Sequence, residues 1–199
     1  DDPAALGSAL SGAGLIYLSG ITAAILDDAG RDRLLTALGA ARAEGTRIVY
    51  DPNYRPRLWP NAEAMRAFAP RITALADICL PTFDDEAAGF GDATPAQRLA
   101  RLVSWGAGEV IVKNGTAPTL VHLGGQTVEI ASARAVRPVD TTGAGDSFNG
   151  AYLAARLAGA SPALAVRRAQ AVAARVVLEP GALVAPEVLR AAALSADEA

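Results

Sequence analysis

Arg47-Ile48-Val49-Tyr50-Asp51, the stretch from Ala62 to Ala76, and Ala76-Asp77-Ile78-Cys79-Leu80-Pro81 together decide the fold class. The first and last are short apolar runs with the length and turn-residue borders of buried strands, and the middle carries helical periodicity. A strand, a helix and a second strand in that order predict a parallel pair with a helix across it. Working outward repeats the pattern. Upstream, Gly14-Leu15-Ile16-Tyr17-Leu18-Ser19-Gly20 reads as a strand. From Gly30 to Gly45, Leu34, Leu35, Leu38 and Ala41 recur at helical spacing. Residues 4–11 allow one or two helical turns. Downstream, helices are expected near Asp84–Gly89 and Pro95–Trp105, with Glu109-Val110-Ile111-Val112-Lys113 as a fourth strand. Thr119–Leu123 and Thr127–Ile130 flank Gly124-Gly125 as a hairpin, and Ser147–Leu157, Pro162–Leu178 and Pro186–Leu194 read as helices. The expectation is a single α/β domain over residues 1–199 with a mostly parallel, Rossmann-like sheet.

Ligands of open α/β sheets bind where strands end and loops lead into helices. The stretch Asp140-Thr141-Thr142-Gly143-Ala144-Gly145-Asp146-Ser147 puts small residues at a loop-to-helix junction. Backbone N–H groups there can close around a phosphate without interference from side chains. Asp146 follows directly, and binding alone gives no reason to place a carboxylate beside an anion. In phosphoryl transfer to an alcohol, such a group can orient the acceptor hydroxyl and take its proton, while the Gly143, Ala144 and Gly145 turn stabilises the transferred charge. A plain helix N-terminus with flexible glycines is the competing description.

Three further loops follow strands. Asp51-Pro52-Asn53-Tyr54-Arg55-Pro56-Arg57-Leu58-Trp59 offers a proline-stiffened set of anion-binding groups, or a solvated turn whose arginines pair with surface acids. Asp84-Asp85-Glu86 can order water around Mg²⁺, or simply suit the first turn of a helix. Lys113-Asn114-Gly115 ends the fourth strand, where a lysine is by itself ordinary. Gln170 is equally at home on an amphipathic helix, and His122 has no ligands at metal spacing.

Composition excludes several classes. The net charge of −3 comes without a basic run of the kind that tracks a nucleic-acid backbone. No apolar run has the length of a membrane span, and the first residues lack a signal-peptide pattern, so the cytoplasm is expected. The one cysteine, Cys79, lies between Ile78 and Leu80 and reads as a small buried hydrophobe. A dinucleotide-binding oxidoreductase would need a glycine fingerprint after the first strand, and residues 19–24 do not carry it.

From Asp140 to Asp146 every position of D-T-x-G-A-G-D is present, with Gly150 and Ala151 following. That pattern resembles the second signature of the ribokinase-like (PfkB) carbohydrate kinases. The D-P-N-x-R-x-x-L-W pattern from Asp51 to Trp59 is most like the 2-keto-3-deoxygluconate kinases of that family and related fructokinases. The resemblance implies a three-layer α/β/α sandwich and ATP-dependent phosphorylation of a sugar or sugar acid. Fructose and ribose are the alternative acceptors. It implies Asp146 as base and substrate contact, and Gly143, Ala144 and Gly145 as the anion hole. Asn53, Tyr54 and Arg55 would lie near the ATP phosphates and the acid substrate, Lys113 and Gly115 at the nucleotide, and Gln170 near adenine. Mg²⁺ would be reached through water from Asp85 or Glu86, although Thr82 and Asp85 stand where the family has N-x-x-E. A monovalent cation is a further candidate cofactor. The family's upstream strands, glycine-pair sugar motif and β lid have no counterpart in this sequence, which matches the family from the strand after the lid. On this reading the chain keeps a nucleotide site but turns over sugar poorly, and exposed sheet edges make self-association a hazard. A nucleotide-binding module without turnover is the alternative.

Overall fold

The computed structural model describes residues 3–132 and 137–196, leaving aside the side chains of residues 3, 4 and 86–88. Six strands follow one another through the sheet in the order β1-β2-β3-β4-β5-β6. The chain forms two compact units, Asp1–Asn114 with His122–Thr127, and Gly115–Val121 with Val128–Ala199.

In the first unit, α1 (Pro3–Leu10) precedes β1 (Leu15–Ser19), α2 (Gly20–Ala24), α3 (Asp28–Ala43), β2 (Arg47–Asp51), α4 (Ala62–Thr73), β3 (Ile78–Cys79), α5 (Phe83–Phe90), α6 (Pro95–Ser104) and β4 (Glu109–Val112). β1 to β4 are parallel, with Ser19 opposite Asp51, Tyr50 opposite Cys79 and Cys79 opposite Val110. β4 is buried along its whole length and β2 from its second residue on, as strands covered on both faces must be. Leu38, Ile72 and Leu102 fill the space between helices and sheet, and Cys79 is buried and reduced, as expected.

Several boundaries differ from the sequence expectation. α4 stops at Thr73 rather than reaching Ala76, because Leu75 and Ala76 donate to Ile72 and Thr73 in tighter turns. The regular ladder of β3 is only Ile78–Cys79, although Asp77 and Leu80 still donate to Ile48 and Tyr50 on either side. The carboxylate of Asp77 accepts from the Ile48 N–H at 2.8 Å, and Pro81 has no N–H to contribute. α3 begins before Gly30 because Asp27 caps it, accepting from the Gly30 N–H at 2.6 Å. The short α2, absent from the sequence reading, begins at once after β1. Its glycine is required: a Cβ on Gly20 would lie 1.9 Å from the Pro52 carbonyl oxygen.

The second unit holds most of β5 (Thr119–Leu123) and β6 (Gln126–Ile130), followed by α7 (Ala144–Leu157), α8 (Pro162–Val176) and α9 (Pro186–Ser195). Gly124 and Gly125 have φ 59° and 79°, the two positive values that a tight hairpin turn needs. α8 packs on both α7 and α9, and Tyr152, Ala165, Val166, Ala169 and Val176 fill the seams. α7 starts three residues earlier than expected, at Ala144, which places Asp146 inside its first turn.

Gly20→Ala is expected to cost about 1–3 kcal/mol, the usual penalty for overpacking a site with no room to give. It would be read as a lowered urea midpoint at unchanged slope. An unchanged midpoint would mean that the β1–α2 turn moves away from Pro52 freely.

Candidate active site

The carboxyl ends of β1, β2 and β4 meet at Asp51. This carboxylate is only 4% exposed. Its Oδ2 accepts from the Tyr17 hydroxyl at 3.4 Å and lies 3.6 Å from Lys113 Nζ, while Oδ1 accepts from the Asn53 N–H at 3.2 Å. Lys113 is buried too, and its N–H and C=O join Pro81 and Phe83, so the end of β4 is tied to the start of α5. The ammonium expected near phosphate is thus committed to a neighbouring carboxylate.

Asn53 has φ 36°, the one left-handed residue other than glycine among those described. Asparagine tolerates that region because its short amide finds local partners. Here Nδ2 donates to Ser19 Oγ at 3.2 Å, linking the loops after β1 and β2. The twist turns the chain so that Tyr54 is buried beneath α5, where a Cβ on Gly89 would come within 3.0 Å of its ring. Arg55 points the other way. It is half exposed, donates from Nη1 to its neighbour's carbonyl at 3.0 Å, and places Nη1 3.1 Å from Asp85 Oδ1. Asp85, the expected water-mediated metal contact, therefore has a cation beside it. The side chain of Glu86 lies outside the described residues. Among those residues no group of three His, Cys, Asp or Glu side chains is assembled as a metal centre. His122 pairs with Thr127 at 2.8 Å.

In the second unit the phosphate candidate is the start of α7. Gly143 is its N-cap with φ 77°, and a Cβ there would lie 2.8 Å from Ala182 Cβ. The Ala144 N–H bonds back to Thr141 and that of Ser147 to Gly143. Among the described residues, the N–H groups of Gly145 and Asp146 have no acceptor. These two donors, at the positive end of a 14-residue helix, are what an anion would meet. The Asp146 side chain is exposed at the third helical position, where an acid also suits the helix dipole.

Asp140, which the sequence reading passed over, fixes this turn. Its Oδ1 accepts from the Thr142 N–H and its Oδ2 from the Gly181 N–H, each at 2.9 Å. Val139 and Asp140 themselves donate to the Val177 carbonyl, so the strap 139–143 is laid along residues 177–182. Gln170, expected near adenine, is buried instead and gives Nε2 to Thr119 Oγ1 at 3.2 Å. Gly115 has φ 56° and open space around it.

Residues 4–188 match the model of the pfkB family carbohydrate kinases. The chain belongs to the pfkB family. Its relatives include the 2-dehydro-3-deoxygluconokinase of Dickeya dadantii (strain 3937), 40% identical over 88% of this chain and 58% of that protein. Aminoimidazole riboside kinase from Salmonella enterica, solved with aminoimidazole riboside and an ATP analogue, is similar at TM-score 0.76 and 28% identity over 89% of this chain and 62% of its own. Fructokinase from Vibrio cholerae O395, solved with fructose, ADP and calcium, gives TM-score 0.76 and 25% identity over 89% and 59%. The pfkB-family chain thus spans about three fifths of the relatives it matches. Its ribokinase-like α/β fold is as expected. Among the described residues no helix is long and apolar enough to cross a membrane.

The missed residues of this pfkB-family site, Asp51, Asp140 and Ser19, all lay inside or beside motifs quoted for other residues. A polar group at a strand end was the available signal. For Asp140, the Thr142 hydroxyl, the Thr142 N–H and the Gly181 N–H hold its carboxyl below the usual carboxylate range, with burial opposing. A folded value below the unfolded one means that this contribution is present above the ordinary range and is lost as pH falls through the folded value. Amide shifts of Thr142 and Gly181 are therefore expected to titrate together below about pH 4, the ordinary range. Asp140→Asn should remove that step, and a step that persists in the variant would assign it to another group.

Proposed function

We propose that the protein is the nucleotide-binding and catalytic part of an ATP-dependent sugar kinase whose acceptor is the sugar acid 2-dehydro-3-deoxygluconate. The observation that carries this reading is the start of α7, where two unspent N–H donors and an exposed carboxylate share one helical turn. Binding of phosphate would need only the donors. The carboxylate beside them adds the group that moves a proton.

The residues fit ATP phosphate at this point, because Gly143 lets the backbone turn tightly and the Gly145 and Asp146 N–H groups point out of the helix end. Bound ATP supplies the phosphoryl group. The Gly145 and Asp146 N–H groups hold oxygens of the transferring group, and the Asp146 carboxylate accepts the proton of the attacking hydroxyl as the new P–O bond forms and the bond from the γ-phosphorus to the β-phosphate oxygen breaks, leaving ADP. Arg55 is the cation offered to the carboxylate of the sugar acid. Asn53 sets its direction through the left-handed turn, while Lys113, Tyr54 and Gln170 act by holding loops and helices in place. Gly115 leaves the backbone open to the nucleotide. Mg²⁺ fits less directly. Asp85, beside Arg55, would hold the ion through its water, and the ion would offset charge on the phosphates.

The relative at 40% identity and the half-exposed arginine after β2, which a neutral sugar would not use, support this acceptor. Use of ATP suits the cytoplasm. Residues 1–199 are read as the nucleotide-binding and catalytic part of one kinase domain.

The test is an Asp146→Asn variant of the gene product that carries this chain. Transfer from ATP to 2-dehydro-3-deoxygluconate is expected to fall by about 10²–10⁴-fold or more, the contribution of a positioned proton acceptor. Binding of a non-hydrolysable ATP analogue should stay within about threefold of wild type, because the backbone donors are unchanged. Undiminished transfer would remove Asp146 as the base. Analogue binding without transfer by the wild type would identify a nucleotide-binding module instead.

A further inference from the structure

Arg55 and Asp85 form an ion pair whose geometry is loose. Nη1 and Oδ1 are 3.1 Å apart, yet among the described residues the only aligned hydrogen bond of the guanidinium goes to the Tyr54 carbonyl at 3.0 Å. Nε and Nη2 have no acceptor there. The side chains are 46% and 32% exposed. Among the described residues one edge of the arginine fork is thus without an acceptor, and the other faces a carboxylate that water already reaches.

Asp85 can also part from Arg55 at little cost. It lies in the first turn of α5, where the helix dipole favours a negative charge, and its exposure leaves it hydrated. A charge in that setting is not stranded when its partner turns away. The arginine, by contrast, is anchored. Its backbone is fixed by the left-handed Asn53 before it and by Tyr54 packed under α5, so the guanidinium reaches any anion from one fixed starting point.

We propose that Asp85 is a specificity residue that occupies Arg55 until the carboxylate of a sugar acid takes its place. The inference rests on the kinase reading for its ligand class, since Arg55 is the group offered there to an acid substrate. Asp85 lowers affinity for any anion that competes with it poorly. An acceptor carboxylate set against Nη1 and Nη2 together gains bidentate bonds that Asp85 does not make, and the exchange becomes favourable. Neutral sugars gain nothing from it. Discrimination between acidic and neutral acceptors is therefore set by the Arg55–Asp85 pair and not by Arg55 alone.

The experiment is calorimetric titration of wild type, Asp85→Asn, Arg55→Gln and the double variant, without nucleotide, using D-gluconate as an unreactive sugar acid and D-glucitol as its neutral counterpart. Asp85→Asn is expected to bind gluconate about three- to fivefold more tightly than wild type, the size of a partly exposed ion pair. Glucitol affinity should not change. With Arg55→Gln in place, the Asp85→Asn change should have no effect on gluconate, which isolates the pair from a general change in charge. Equal gluconate affinity in wild type and Asp85→Asn, including absence of binding by both, would overturn the proposal. So would weaker binding by Asp85→Asn, a parallel shift for glucitol, or a gain that survives Arg55→Gln. Circular dichroism of each variant separates these results from misfolding. ATP-analogue binding is measured apart, and its loss would count against the kinase reading without touching the Arg55–Asp85 exchange.

Discussion

The buried carboxylate of Asp51 is the constraint on which the first unit depends. A carboxylate taken out of water costs several kcal/mol unless partners replace its hydration. The replacements include the hydroxyl of Tyr17 on β1, the N–H of Asn53 after β2, and the ammonium of Lys113 after β4. Moving any of these takes away part of that replacement. The parallel register brings Ser19 beside Asp51 as well, so the loops that follow β1 and β2 start from fixed points. The backbone beneath their exposed residues, Arg55 foremost, inherits that fixity from a group that is itself almost wholly buried.

The second unit solves the same problem by other means. Asp140 also gathers separate stretches of backbone, but it does so near the surface, where hydration and salt weaken charge effects. Much of the work there falls to shape. Gly143 has the positive φ that starts α7, and the absence of its side chain lets the turn rest on Ala182. The donors of Gly145 and Asp146 are left open because the helix begins at that point and nowhere else. Starting the helix three residues later, as its alanine-rich periodicity alone suggests, would put Asp146 in the preceding loop and lose the single turn that unites acid and donors.

Much of this was legible in the sequence. Apolar runs bounded by turn residues located the strands because burial on both faces leaves little choice of residue, and D-T-x-G-A-G-D located the start of α7 to within one turn. What failed to show was the direction in which a side chain points. Lys113, Tyr54 and Gln170 stand in or near motifs that suggest ligand contact, yet all three are buried in structural interactions. Nothing in a one-dimensional pattern distinguishes a lysine facing a phosphate from one facing Asp51. Asp140 was overlooked for the opposite reason. Its partner Gly181 is 41 residues away in a stretch with no periodicity to draw attention to it.

Gly20 touches the carbonyl of Pro52 with no side chain between them, and this ties the histories of two loops together. The turn after β1 and the turn after β2 share a single backbone contact, so an insertion or a bulkier residue in one displaces the other. Sequence drift in either loop is therefore filtered by its neighbour. Change in proteins built this way should come by exchanges at exposed positions such as Arg55 and Asp85, while the path of the backbone beneath them stays the same.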